Sequence, residues 1–279
     1  MDSTKVPKIT LNNGVTMPQL GLGVWKIEDD VELQAAIKRA LDSGYRAFDT
    51  AAVYGNEAGV GEALAASGLP REDLFITTKL WNSEQGYDTT LSAFDASLAS
   101  LQLEQLDLYL IHWPMPKVNK FKETWRAFER LYDEGRVRAI GVSNFTETHL
   151  KDLMTSANIT PAVNQVELHP QLSQVPLRQF CSAHDIRIES WSPLMSGGAV
   201  LEDEVITGIA RVHDKTPAQI VLRWHVQHDL IVIPKSKTPE RIAENIKIFD
   251  FELSDDDMRA IDGLNRDHRI GPDPDSFNE

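Results

Sequence analysis

The sequence is poor in cysteine and in long apolar runs. Cys181 is the only cysteine among 279 residues, so an intrachain disulfide cannot form. The stretch LRQFCSAH around it indicates a helix interior, where a lone cysteine packs as a small apolar side chain. The opening segment MDSTKVPKIT lacks the apolar region of a secretory signal, and no run is long and apolar enough to cross a bilayer. We therefore expect a cytoplasmic protein.

Basic residues are also in deficit. Aspartate and glutamate number 42, against 28 lysine and arginine, which gives a formal charge of −14. Such a surface repels phosphate backbones and anionic lipids, so we expect neither a nucleic-acid nor a membrane partner. Metal-binding patterns such as HExxH, CxxC or serial histidines are missing, and we predict no metal site.

Short apolar runs alternate with amphipathic stretches along the chain. The helical patterns cover residues 31–44, 56–68, 89–101, 122–135 and 216–229. The predicted strands are 20–25, 46–51, 74–80, 106–113, 137–144, 162–169, 187–194 and 230–236. Repeated β-then-α units without a break in composition predict an α/β protein, a (β/α)8 TIM barrel that forms a single domain over residues 1–279.

Two additions to the barrel are expected. Asn13-Gly14 between alternating apolar residues predicts an N-terminal β-hairpin that closes the bottom of the barrel. Ser254, followed by acids, begins an extra C-terminal helix, and no regular structure is predicted after Asn265. The main alternative is a doubly wound sheet, but GLGVWK carries only the first two glycines of its GxGxxG fingerprint.

The ends of the predicted strands carry an unusual set of side chains. In a parallel barrel the carboxyl ends of all strands meet at one mouth, so these residues are expected to lie together. They are Trp25, Asp49, Tyr54, Lys79, Trp81, His112, Trp113, Ser143, Asn144, Gln165, His169, Trp191, Lys235 and Ser236. An acid, an amine, an imidazole and a phenol among tryptophans predict a site that polarises a polar group in an aromatic pocket.

Several motifs resemble those of the aldo-keto reductase family from end to end. They are GYRAFDTAAVYGNE, LFITTKLW, DLYLIHWP, IGVSNF, AVNQVELHP and VIPKSKTPERIAENI, in the family's order. The chain is most similar to bacterial members like the 2,5-diketo-D-gluconate reductases. The resemblance implies a monomer that uses NADPH to reduce aldehydes or ketones to alcohols. The implied substrates are small polar carbonyl compounds, such as keto-sugar acids or α-dicarbonyls.

The resemblance also implies a catalytic set. Tyr54 matches the family's proton donor, Lys79 the amine beside it, Asp49 the carboxylate that pairs with this amine, and His112 the imidazole that faces the carbonyl. A neighbouring ammonium favours the phenolate form of a tyrosine. We therefore expect the pKa of Tyr54 to lie below its ordinary value of about 10.

Binding residues follow from the same resemblance. Trp191 would stack on the nicotinamide, and Arg241 would stack on the adenine as well as hold the 2′-phosphate. The implied cofactor-binding residues are Ser143, Asn144, Gln165, Trp191, Ser192, Leu194, Lys235, Ser236, Arg241 and Asn245. The implied substrate-binding residues are Trp25, Trp81, His112 and Trp113.

Two other functions stay open from the sequence. A binding or structural protein on this fold would have a damaged catalytic set, and none is visible. A phosphate-handling barrel isomerase would need a phosphate loop after the last strands, and the segment PKSKTPER fits one. Consumption of NADPH would distinguish the reductase from both alternatives.

Overall fold

The computed structural model describes residues 6–28 and 30–278. Residues 1–5, which belong to the segment tested for a secretory signal, lie outside the described residues. Within the described ranges, no helix is long and apolar enough to span a membrane. The same part of the chain holds no group of three or more His, Cys, Asp or Glu side chains that could bind a metal ion.

Eight parallel strands form one sheet, in chain order. They are β3 Leu22–Gly23, β4 Ala47–Asp49, β5 Phe75–Leu80, β6 Leu106–Ile111, β7 Val137–Ser143, β8 Val163–Glu167, β9 Arg187–Trp191 and β10 Ile231–Val232. Bridges from Leu20 to Val232 and from Gly23 to Lys235 join the first strand to the last and close the barrel. Each strand lies inside a predicted range, and the (β/α)8 prediction is confirmed.

Helices follow the strands and cover the outside of the barrel. They are α1 Asp30–Ser43, α2 Glu57–Ala66, α3 Tyr87–Leu101, α4 Phe121–Asp133, α5 Glu147–Met154, α6 Val175–Ala183, α7 Glu204–His213, α8 Pro217–Gln227, α9 Pro239–Asn245 and α10 Asp255–Asp262. The Ser254 side chain caps α10 by accepting a hydrogen bond from the backbone N–H of Asp257, as its sequence predicted. Cys181 is buried inside α6.

The N-terminal hairpin consists of β1 Lys8–Thr10 and β2 Thr16–Pro18, which pair antiparallel. Gly14 in its turn has a φ of +85°, a conformation that favours glycine. Ile9, Leu11 and Met17 pack with apolar side chains from inside the barrel. The hairpin therefore closes the bottom of the barrel, as predicted.

The interior of the barrel changes from apolar to polar along strands such as β4 and β8. Because alternate residues of a strand face the same side, Ala47 in the lower apolar cluster is followed by Asp49. In β8, Val163 of that cluster is followed in the same way by Gln165. This change sets buried charges directly beneath the mouth of the barrel.

Candidate active site

Asp49 and Lys79 form a buried ion pair at the ends of β4 and β5. The exposed fractions of the two residues are 4% and 1%. Lys79 Nζ donates to Asp49 Oδ1 at 2.6 Å and to the Thr50 carbonyl oxygen at 2.8 Å. Burial alone would lower the pKa of Lys79, but the charge of Asp49 raises it, and the net direction is upward. The ammonium group therefore stays charged and fixed in place.

Tyr54 lies in a short 3₁₀ turn, Ala52–Tyr54, directly after β4. Gly55 ends this turn with a φ of +67° and lets the chain reverse over the mouth. Lys79 Nζ is 5.1 Å from the centre of the Tyr54 ring. Burial raises the pKa of Tyr54, Lys79 lowers it and Asp49 raises it again, so the net direction is upward. The prediction that the pKa of Tyr54 is lowered is therefore wrong, because desolvation of the phenolate outweighs the attraction of the Lys79 ammonium.

His112 follows β6 and lies between aromatic rings. Its ring centre is 5.8 Å from that of Tyr54 and 5.2 Å from that of Trp81, and both contacts are edge-on. Trp113 stacks at 6.5 Å. Burial, and then the charge of Lys79, lower the pKa of His112 well below its ordinary value. The imidazole is therefore neutral at neutral pH.

A chain of hydrogen bonds connects four of the predicted cofactor residues. Ser143 Oγ donates to the Gln165 carbonyl oxygen at 2.8 Å, and Asn144 Nδ2 donates to Ser143 Oγ at 3.1 Å. Asn144 Nδ2 also donates to the His112 carbonyl oxygen at 3.0 Å. Trp191 Nε1 donates to Asn144 Oδ1 at 2.9 Å. The structure thus brings these four residues together beside His112.

Glu189 is a buried acid at this site that the sequence analysis missed. Gln165 Nε2 donates to Asp49 Oδ2 and to Glu189 Oε2, both at 2.8 Å. Burial first, and then the charge of Asp49, raise the pKa of Glu189 to about 8. A signal was present, because an acid within the predicted buried strand RIESWSPL lies an even number of residues before Trp191 and faces the interior.

Comparison with known proteins places this geometry in a family. The model of the aldo/keto reductase family matches residues 19–266. The chain belongs to the aldo/keto reductase family. This membership confirms the resemblance and argues against a phosphate-handling isomerase.

Individual relatives cover nearly the whole reductase. It is 55% identical over 269 residues to glyoxal reductase of Bacillus subtilis (strain 168), with 96% of each chain covered. It is 50% identical over 275 residues to methylglyoxal reductase DkgA of Yersinia pestis, with 98% of each covered. Among solved structures, a mutant of Gox0644 in complex with NADPH has a TM-score of 0.93 at 49% identity, with 98% of each chain covered.

The three tryptophans of the reductase that were predicted to bind substrate lie in different environments. Trp81 and Trp113 contact the His112 ring, as described above. Trp113 is 7% exposed and packs against Phe277, with ring centres 4.5 Å apart. Trp25 lies in the turn after β3 and is 46% exposed, with Lys26 Nζ 4.3 Å from its ring.

The C-terminal tail of the reductase is tied to the barrel mouth. After Asn265 the described chain forms no helix or strand, as predicted. Glu167 at the end of β8 accepts a hydrogen bond from the Ile270 N–H at 2.7 Å, and Phe277 packs on Trp113. A buried carboxylate thus fixes one part of the tail and a ring contact fixes another.

The basic segment after β10 is partly neutralised. Lys237 Nζ lies 3.0 Å from Glu32 Oε2, so this lysine has an anionic partner within the chain. Burial first, and then the nearby ammonium group of Lys237, lower the pKa of Lys235. Arg241 is exposed on α9, and Asn245 is buried one turn further along.

The remaining predicted cofactor residues lie in loops. Ser236 Oγ accepts a hydrogen bond from the Thr238 N–H at 3.1 Å, which shapes the approach to α9. Ser192 and Leu194 follow β9, where Ser192 has a φ of 49° and its carbonyl oxygen accepts from the Met195 N–H at 3.0 Å. The loop therefore turns sharply back directly after Trp191.

Proposed function

We propose that this aldo/keto reductase uses NADPH to reduce small aldehydes and ketones to alcohols, with Tyr54 as the proton donor. The observation that carries the proposal is the buried Asp49–Lys79 pair beside Tyr54 and His112. The relatives named for glyoxal and methylglyoxal favour α-dicarbonyl substrates. Keto-sugar acids are a second class within the same chemistry.

The side chains present suit NADPH in two places. Amide and hydroxyl groups beside an indole ring fit a carboxamide on a flat ring, and we assign this role to Ser143, Asn144, Gln165 and Trp191. Burial and the ammonium groups of Lys237 and Lys26 lower the pKa of Lys235. This concentration of positive charge suits a phosphate group. We propose that Lys235, Ser236 and Arg241 hold the 2′-phosphate and that Asn245 contacts the adenine. Ser192 and Leu194 would support the cofactor from the loop after β9.

The residues at the mouth would divide the work of reduction. NADPH supplies the hydride when bound. Tyr54 is protonated at neutral pH, since its pKa lies above the ordinary value of about 10, and it donates its hydroxyl proton to the carbonyl oxygen. Neutral His112 donates a hydrogen bond to the same oxygen as negative charge develops there. Lys79, held by Asp49, stabilises the phenolate that Tyr54 becomes. Trp25, Trp81 and Trp113 would form the walls of the substrate pocket.

Replacing Tyr54 with phenylalanine tests this assignment. The ring and its packing are kept, but the donated proton is lost. We expect reduction of glyoxal or methylglyoxal to fall by about 100-fold or more. NADPH binding, measured by quenching of protein fluorescence, should change little. Near-normal turnover in Tyr54→Phe would remove Tyr54 from the mechanism, and failure of the wild type to oxidise NADPH with any carbonyl would remove the function.

We further propose that residues 1–279 act as one domain and that the protein is a cytoplasmic monomer. The continuous eight-stranded sheet supports the single domain, and the burial of Cys181 argues against a disulfide between two copies. Light scattering of the purified protein tests the monomer. Fractionation of the producing cells tests the location.

A further inference from the structure

Glu189 lies at the centre of the polar layer beneath the catalytic side chains. It is completely buried in the middle of β9, where its register partners are Gln165 on β8 and Ile231 on β10. Its Oε2 accepts from Gln165 Nε2, and its Oε1 has no hydrogen-bond partner among residues 6–28 and 30–278. None of the roles assigned above, whether to the tryptophans, to the Asp49–Lys79 pair or to Tyr54, uses this carboxyl group.

The amide of Gln165 is held between two acids. One Nε2 group has two hydrogens, and its two bonds lead to Asp49 on one side and Glu189 on the other. Both donors are therefore used below the mouth. The amide oxygen takes no part in these two bonds. Loss of either acceptor would free the amide to rotate.

The charges near Glu189 are unequal if every acid is ionised. Asp49 reaches it from β4 and Lys79 from β5, while its neighbour on β10, Ile231, carries no charge. Lys79 also faces Tyr54. Two buried carboxylates would then oppose one ammonium, which costs free energy in a site of low polarity. A protonated Glu189 leaves one negative and one positive charge, and burial raises its pKa to about 8 in agreement with this state.

We propose that Glu189, as an uncharged carboxyl group, positions Gln165 against Asp49 and keeps the charges beneath Tyr54 balanced. Glu189 is a positioning residue, since it acts on the site through Gln165 and Lys79. When it ionises, the added negative charge offsets the field of Lys79 at Tyr54. The phenol then becomes a weaker acid, and reduction slows on the alkaline side.

The protonation state can be measured without any cofactor. Infrared spectra of the wild type minus Glu189→Gln should show the carbonyl band of one protonated carboxyl group at about pH 6, and it should fade as the pH rises through about 8. Glu167→Gln is the matched control. Glu167 is equally buried on the neighbouring strand, but hydrogen bonds from His169 and the tail outweigh burial and lower its pKa. The difference spectrum of the Glu167→Gln control should show no such band. If the band is also missing from the wild type minus Glu189→Gln spectrum, the proposal is overturned.

Stability gives an independent reading in the cofactor-free protein. A carboxyl group whose pKa is raised by folding binds more protons in the folded state, so its contribution to stability declines as the pH rises between the unfolded and folded values. From about pH 5 to about pH 8, the unfolding constant of the wild type divided by that of Glu189→Gln should rise by up to tenfold per pH unit. A flat or falling ratio would show that Glu189 is ionised in the folded protein.

Glu189→Leu tests the positioning role. It removes one of the two acceptors for Gln165 Nε2. We expect the dissociation constant of NADPH to rise by about tenfold, with Glu189→Gln restoring most of the loss. This arm rests on the proposed function, in which Gln165 holds the carboxamide. If the wild type does not bind NADPH, the proposed function is refuted, while the infrared and stability measurements still test the protonation state of Glu189. If Glu189→Leu binds NADPH as tightly as the wild type, the positioning role is overturned.

Discussion

Breaking the Asp49–Lys79 pair should destabilise the protein strongly. In Asp49→Asn the Lys79 ammonium stays 1% exposed and keeps only uncharged hydrogen-bond partners, the Thr50 carbonyl oxygen and the Tyr54 side chain. Removing one partner of a buried ion pair costs about 3–5 kcal/mol, because the other charge is left desolvated. We expect a loss of this size in the free energy of unfolding. Lys79→Met should cost a similar amount through Asp49.

The pH dependence of the loss has a definite sign. In the wild type Asp49 raises the pKa of Lys79. The stabilisation by the pair is therefore fully present below about pH 10.4, the ordinary pKa of lysine in the unfolded chain, and is lost only at higher pH. In Asp49→Asn the charge that raises the pKa of Lys79 most is gone, so burial should dominate and lower this pKa. The unfolded chain then binds a proton that the folded protein does not. The destabilisation should therefore be large near neutral pH and shrink as the pH approaches about 10.

The double variant decides between an ion pair and two unrelated defects. Asp49→Asn with Lys79→Met leaves no buried charge at this position, so its stability should return to within about 2 kcal/mol of the wild type. The assay is urea unfolding of the cofactor-free proteins, followed by tryptophan fluorescence at about pH 6, where Glu189 stays uncharged. Additive losses in the double variant, or a loss below about 1 kcal/mol in Asp49→Asn, would refute the reasoning.

Two further predictions concern the ligands. His112→Ala should lower carbonyl turnover by about 100-fold and relax selectivity among carbonyl substrates, with NADPH binding retained; turnover within about twofold of the wild type would exclude a bond from His112 to the carbonyl oxygen. Arg241→His and Lys235→Gly should each weaken NADPH binding by about 10- to 100-fold, since a charged hydrogen bond contributes about 1.5–3 kcal/mol, and NADH should be little affected. Equal losses for both cofactors in titration calorimetry would remove the 2′-phosphate assignment.

The sequence by itself determined the barrel and most of the mouth. Short apolar runs such as LDLYLI read as buried parallel strands, and all six residues of that run are buried in β6. Asn13-Gly14 specified the hairpin turn because few other residue pairs accept its backbone. Parallel strands share one carboxyl end, so Asp49, Lys79 and His112 could be assigned to one mouth without knowing any distance.

Only the tertiary structure decided the electrostatics of the site. The bond from Gln165 to Asp49 joins residues 116 positions apart, and strand register, which periodicity does not encode, creates it. The same register brings Glu189 under the pair. The direction of the Tyr54 pKa depended on how much water folding removes, which outweighed the neighbouring Lys79. A sequence names the charged groups that share a mouth, but their charge states follow from burial and separation, which exist only after the chain has folded.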